Sequence, residues 1–430
     1  MADTRKRLGT PIGIPALLLG GPGVALALPG VRTASFLAST VRQAAAGQAH
    51  DDIPTPRLST RLAAKVAVDE AVRALMLGMA RIPSRKHRRR IRGEIFEASE
   101  LYEDRGWLDD PRAFHQDPPP LARPRISKRR VAGLDFEHVE FKSRYEPRRE
   151  EPGRDRWLQL EPNATAHAWV MRHRDRERPW LISIPGFRMG APGIDLGGLR
   201  AAHHHYDLGL NVLIPVLPLH GPRTIGARSG DGFISADALN TIHAEAQAMW
   251  DMRRMVGWAR TQGATAIGVY GVSLGGYNTA LLASLEKDLA CAIAGIPASC
   301  FPSLLKLHAP RALMWLGEKL GIDWDTVERI MRVVSPLAIE PRVPHRNRYL
   351  FGGLADRLVP PEHVHNLWEH WQRPRIAWYT GSHLSFRWET EVRSLMREAF
   401  DDSGLLAHAT DTDADTDGRA GTTSKRSRAA

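Results

Sequence analysis

Ser273 stands in GVYGVSLGGYNTALLAS (residues 268–284), with a glycine two positions before it and glycines two and three positions after. A serine hydroxyl is a poor nucleophile until a base takes its proton, and an attacked carbonyl needs donors for the oxyanion that forms. The pattern G-x-S-x-G, between an apolar run and a resumed helical pattern, predicts a sharp strand-to-helix turn with the serine at its tip. At such a tip, residues two before and two after the serine approach too closely for side chains. Gly271, Gly275 and Gly276 remove those clashes. The turn lifts the hydroxyl above the sheet edge, at a helix N-terminus that favours developing negative charge.

An acid and a base follow in the order this chemistry requires, serine then carboxylate then histidine. LFGGLADRLVPPEHV places Asp356 in a loop after an apolar strand, and WYTGSHLSF places His383 in a loop after the last strand. Both are thus expected at carboxyl ends of strands, on the rim where open α/β sheets bind ligands. His383 would accept the Ser273 proton and return it to the leaving group. Asp356 would fix the imidazole tautomer. The expected oxyanion donors are the backbone N–H groups of Leu274, directly after the serine, and of Phe187, in the loop after PWLISIPGF (179–187). Arg223, in the loop HGPR after NVLIPVLP, is a candidate for bidentate contact with a substrate carboxylate or phosphate, or for pinning its loop through a carboxylate of the protein.

The elements that must hold these residues follow from periodicity. LDFEHVEFKSRY and ATAHAWVMRHR alternate as half-buried strands do. PWLISIPGF, NVLIPVLP, AIGVYGVS, ACAIAGIPA and RYLFGGLAD are apolar runs of the buried, parallel kind, and RIAWYTGSH completes the series. Helical patterns alternate with them, so a mostly parallel sheet covered on both faces is predicted. Residues 300–345 form a helical insert placed to cap a cleft.

On these motifs the region from about 133 to 403 resembles the α/β-hydrolase superfamily. PVLPLHGPR, GVSLGGY and ADRLVPP look like a poorly characterised group of actinobacterial α/β-hydrolases. The superfamily resemblance implies an acyl-transfer site built on the three residues above. Pro185 departs from it, standing where many relatives have histidine. The expected function is a serine hydrolase that cleaves a carboxylic ester, with lipid-like esters a plausible class and no metal or organic cofactor. Peptidase, thioesterase or acyltransferase chemistry would use the same trio. A catalytically silent binding or scaffold protein is the alternative of a different class.

Residues 1–132 read as a mainly helical extension, 133–403 as the hydrolase domain and 404–430 as a disordered tail. RLAAKVAVDEAVRALMLGMARI (61–82) has apolar residues at helical spacing, and the Pro-rich 110–125 suits a linker or a loop wrapped on the body. RKR followed by an apolar stretch at 11–30 imitates a signal peptide, but its prolines oppose a continuous helix. A cytoplasmic protein with a segment packed on the body or touching a membrane surface is expected, and secretion is disfavoured. The net charge of +11 suits anionic surfaces, yet RKHRRRIR (85–92) lacks interleaved aromatics. It reads as a solvated helix face, and no nucleic-acid partner is expected. Cys291 and Cys300 read as reduced thiols, and His203, His204 and His205 as a surface helix end, since neighbours on a helix diverge. Trp315, Trp324, Trp368 and Trp371 read as packing residues.

Overall fold

A computed structural model describes residues 21–46, 52–78, 84–309 and 323–406. Nine strands form one sheet: β1 (Arg125–Val131), β2 (Leu134–Lys142), β3 (Thr165–Met171), β4 (Arg178–Ile184), β5 (Asn211–Val216), β6 (Ala264–Val272), β7 (Cys291–Gly295), β8 (Arg348–Gly353) and β9 (Arg375–Tyr379). Their order is β1-β2-β3-β5-β4-β6-β7-β8-β9. β1, β2 and β3 run antiparallel as a meander and β3 is antiparallel to β5, while β5, β4, β6, β7, β8 and β9 are mutually parallel. Every residue of β4, β5, β7 and β8 is buried, the physical reason those segments read as unbroken apolar runs. The chain builds outward from β4 in both directions, to β5 on one side and β6 on the other. The carboxyl ends of β4 and β6 therefore flank the crevice where ligands bind in such sheets.

The helices are α1 (Gly21–Ala45), α2 (Thr60–Gly78), α3 (Arg85–Asp104), α4 (Arg154–Leu158), α5 (Pro192–Gly198), α6 (Ala238–Thr261), α7 (Leu274–Leu285), α8 (Phe301–His308), α9 (Trp324–Met331), α10 (Pro361–His370) and α11 (Thr390–Asp402). One core lies between the sheet and α6, α7 and α10. A second lies on the opposite face, under α5 and α11. This mixed, mostly parallel sheet with helices on both faces is the expected fold class, an α/β-hydrolase fold.

The N-terminal region is built into that body. Ile91, Ile95 and Tyr102 of α3 enter the larger core, and Leu62 and Val66 of α2 pack on Ala355 in the loop after β8. Burying Leu62 and Val66 stabilises this docking by roughly 1.5–3 kcal/mol each. The Pro-rich segment wraps the body as expected: Arg253 and Arg254 of α6 donate to the carbonyls of Gln116 and Pro119. α1 places Pro22 in its first turn, where a missing N–H costs nothing, and continues through Pro29; Pro15, expected with Pro22 to oppose a continuous helix, lies outside the described residues. No helix among the described residues is long and apolar enough to cross a membrane.

Several boundaries differ from the sequence reading. The sheet begins at Arg125, inside the stretch assigned to the extension, because RISKRRV forms an exposed edge strand with no apolar alternation. His204 and His205 are buried, not on a surface: His204 lies edge-on to Tyr270 and Phe400, and His205 stacks on His173 at 4.0 Å. Burial pushes their pKa values down to about 3 and about 4. Cys291 is buried and Cys300 half-buried, and both are free thiols. Trp371 is fully buried, and Trp324 and Trp368 pack against the core. Trp315, the middle of the 300–345 insert, and the tail from 407 lie outside the described residues. Gly404, Leu405 and Leu406 of the assigned tail are described, and Leu405 is buried in the second core.

Candidate active site

Ser273 caps the N-terminus of α7 with φ 60° and ψ −118°, a backbone region that side chains rarely occupy. Such a conformation costs on the order of 1–3 kcal/mol and persists only where neighbours enforce it. Here its N–H donates to the Gly295 carbonyl at 2.9 Å, and its own carbonyl accepts from Tyr277 at 3.0 Å. The surrounding glycines are steric necessities. A Cβ on Gly275 would lie 2.1 Å from the Ile184 carbonyl oxygen, and one on Gly271 2.3 Å from the Gly275 oxygen. Because both opposing atoms are backbone, Gly275→Ala is expected to cost at least about 3 kcal/mol, read by denaturant titration of the folded protein.

Asp356 leaves the end of β8 with both oxygens engaged. Oδ1 accepts from the backbone N–H of Leu358 at 2.9 Å and of Val359 at 2.8 Å. Oδ2 lies 2.6 Å from His383 Nδ1. The acceptor pair fixes the carboxylate in a local turn ahead of α10, so the side chain reaches the histidine without rotational freedom. His383 leaves the end of β9 and is buried. Burial alone would push the imidazole pKa down. The charge and hydrogen bond of Asp356, with the charge of Asp69, outweigh burial and raise it above its usual 6.5. Nε2 makes no hydrogen bond among the described residues, nor does the Ser273 hydroxyl.

Since β6, β8 and β9 are parallel, Ser273, Asp356 and His383 all emerge on the same edge of the sheet. The loop after β4 reaches that edge too: a Cβ on Gly186 would lie 3.8 Å from Ser273 Cβ. The N–H groups of Phe187 and Leu274 donate to no acceptor among the described residues. One follows Ser273 at the end of β6 and the other follows Gly186 in the loop after β4.

Arg223 is not available to a substrate. Its side chain is fully buried, 2.9 Å from Asp251 Oδ2, and donates to the carbonyls of Val216 and Asn163. Of its two sequence-level readings, the loop-pinning one describes its place, and the substrate contact is corrected. Sequence reasoning missed Asp69 of α2, fully buried, whose Oδ2 accepts from the His383 N–H at 2.8 Å. The available signal was an acidic residue on the Leu62–Val66 stripe of an amphipathic helix. It also missed Ser299, whose hydroxyl lies 3.3 Å from Nδ1 of buried His363.

Among the described residues two groups bring potential metal-ligand atoms within 4.8 Å of one another: His138 with Glu140 and His167, and Asp52 with His365 and Glu369. In the first, the imidazoles engage each other at 2.9 Å. Neither group includes a residue of the Ser273 site.

No family model matches the chain. Two relatives from Mycobacterium tuberculosis do, the uncharacterized protein Rv2627c of strain H37Rv and the uncharacterized protein MT2702 of strain CDC 1551. Each is 39% identical over 404 residues, covering 91% of this chain and 93% of the relative. The chain belongs to their family. Among solved structures it is similar to an acetyl xylan esterase from Paenibacillus sp. R4, with 16% identity, 70% of this chain and 93% of that chain covered, and a TM-score of 0.48. It is also similar to acetyl xylan esterase 1 from Thermoanaerobacterium sp. JW/SL YS485, with 15% identity, 69% and 98% covered, and a TM-score of 0.44. Those likenesses are loose. In this chain the α/β-hydrolase fold stands on the strand order, the strained serine between β6 and α7, and the paired Asp356 and His383 after β8 and β9.

Proposed function

We propose that this chain is a serine hydrolase that cleaves a carboxylic ester through an acyl-enzyme on Ser273. The observation that carries the reading is a buried Asp356–His383 pair, 2.6 Å apart, on the sheet edge where Ser273 is held at φ 60°. In this reading Ser273 Oγ attacks the acyl carbonyl while His383 Nε2 takes its proton. The proton on Nδ1 stays with the imidazole and donates to Asp356 Oδ2, so the imidazolium forms beside a fixed negative charge. The N–H groups of Leu274 and Phe187 receive the oxyanion. His383 then returns the proton to the departing alkoxide, and the alcohol leaves. A water that loses its proton to His383 attacks the acyl-enzyme, and collapse releases the acid and restores Ser273.

A lipid-like acyl chain is part of the proposal. Val31, Leu75 and Leu307 expose apolar side chains on α1, α2 and α8, and the chain carries a net charge of +11. The test is a p-nitrophenyl ester series from short to long acyl chains, assayed beside Ser273→Ala. A rate that rises with chain length and vanishes in the variant supports the reading. A folded wild type inert to the whole series supports the silent scaffold instead. Binding to anionic vesicles tests the membrane contact, and equal retention on neutral vesicles counts against an electrostatic contact.

The reading also fixes a pH dependence. His383 must be neutral to accept the proton, and its pKa is raised, so protonation persists to higher pH than for a free imidazole. kcat/KM for a short ester is therefore expected to fall on acidification along a limb whose midpoint lies above 6.5. The absence of any acidic limb contradicts the assignment of His383 as the base.

A further inference from the structure

Asp69 ties the N-terminal helix α2 to the acid–base pair. One oxygen, Oδ2, accepts the N–H of His383 at 2.8 Å and the N–H of Arg357 at 3.1 Å. Arg357 directly follows Asp356, so a single carboxylate oxygen joins the loop after β8 to the loop after β9 at their catalytic members. The other oxygen, Oδ1, is buried without a hydrogen-bond partner among the described residues.

That arrangement is expensive. Burial first, then the charge of Asp356, push the Asp69 pKa up to about 6, against lesser opposing effects of His383 and the two amides. The sign follows from linkage. A folded-state pKa above the usual 3.8 means that ionised Asp69 destabilises the fold, and the penalty is relieved as pH falls through about 6. Docking of α2 through Leu62 and Val66 does not itself call for a charge at 69; what Asp69 adds is an acceptor for the His383 and Arg357 amides, which an apolar residue would leave unpaired. A carboxylate whose one oxygen is shared by two loop amides while the other is buried without a partner is the departure from packing rules expected where function demands it.

We propose that Asp69 is a positioning residue for the catalytic pair: its shared oxygen holds the backbone of the Asp356 and His383 loops in the register that aligns the imidazole with Ser273. This rests on the triad reading above. The N-terminal region then completes the active site instead of merely covering it. The charge of Asp69 acts on the imidazole as well, and the neighbouring groups are otherwise occupied. On α2, Lys65 pairs with Glu389 and donates to the Thr380 carbonyl. Glu70 is engaged by Arg32 of α1 and by Arg73 and Arg357. From α8, His308 accepts from Arg73 and contacts the Leu358 carbonyl. Tyr379 of β9 donates to the Ser382 carbonyl. Asp356 and Asp69 are left as the carboxylates that act on His383.

Two variants separate the clamp from the charge. Asp69→Asn can keep an oxygen at the shared position and put its amide where Oδ1 has no partner, so the clamp stays and the charge goes. Asp69→Ala removes both. In Asp69→Asn the NMR titration midpoint of the His383 imidazole is expected to fall, with the acidic limb of kcat/KM moving alongside it. In Asp69→Ala, kcat at the plateau pH is expected to fall about 10- to 100-fold with little change in KM. If Asp69→Ala does not fold, Asp69→Leu, close in size and without an acceptor, is read in its place. Variants that lose only thermal stability, with His383 titrating as in wild type and kcat of the folded protein unchanged, overturn the proposal. The NMR midpoint is read whether or not an ester is cleaved. A midpoint that moves in a protein inert to every ester refutes the hydrolase reading and supports the coupling of Asp69 to His383. An active enzyme whose Asp69→Ala variant keeps the wild-type kcat refutes the Asp69 proposal alone.

Discussion

Ser273→Ala is expected to abolish ester hydrolysis, lowering kcat by about 10⁴- to 10⁶-fold, while the folded protein keeps its stability to within about 1 kcal/mol. The two halves have separate physical reasons. The serine hydroxyl makes no hydrogen bond among the described residues, so its removal orphans no buried partner. Alanine keeps the Cβ, and the backbone stays pinned at φ 60° by the Gly295 and Tyr277 hydrogen bonds. The reaction, in contrast, loses the atom that forms the acyl bond. What survives is oxyanion stabilisation and substrate binding with no nucleophile to exploit them. Steady-state kinetics beside a urea titration checks both halves on one preparation. A variant that retains a tenth of the wild-type rate shows that another group is the nucleophile.

Asp356→Asn is the second large effect. The carboxylate does two jobs with two oxygens, one fixing the turn at Leu358 and Val359 and the other holding His383 Nδ1. Asparagine retains an oxygen for the turn, so the loop keeps its shape. It presents an NH₂ to the imidazole, which then accepts at Nδ1 and carries its proton on Nε2. In that tautomer the base has no lone pair for the serine proton. kcat is expected to fall by about 10⁴-fold with the fold retained. The acidic limb of whatever activity remains should shift to lower pH, because the charge and hydrogen bond of Asp356 raise the imidazole pKa. Stopped-flow or long-time-course ester assays across pH read both changes. A kcat within tenfold of wild type would mean that His383 is oriented by something else.

Legibility in the sequence follows how local the physics is. The turn around Ser273 is legible because its sterics fall within a few residues, and only glycine fits where a Cβ would meet a carbonyl at 2.1 Å. Strands β4 to β8 are legible because burial on both faces forces apolar runs. Asp356 and His383 are legible because the parallel run from β4 to β9 delivers their carboxyl ends to one rim. β1 is not, since RISKRRV is exposed on an edge and its hydrogen bonds to β2 leave no trace in its residue types. Arg223 sits in a loop near the rim, but its partner Asp251 lies on α6, and no spacing rule connects them. Asp69 is the extreme case, 314 residues from the backbone amide it holds. The amphipathic pattern of α2 shows that the helix docks on something, and only the structure shows that it docks on the loops holding Asp356 and His383.

The most direct measurement is peptide mapping of the folded protein after reaction with a fluorophosphonate. The account predicts one covalent adduct, on Ser273 in the peptide containing GVSLGGY, forming more slowly as pH drops and His383 becomes protonated. No adduct on the folded protein, or an adduct on a different serine with Ser273 unmodified, contradicts it.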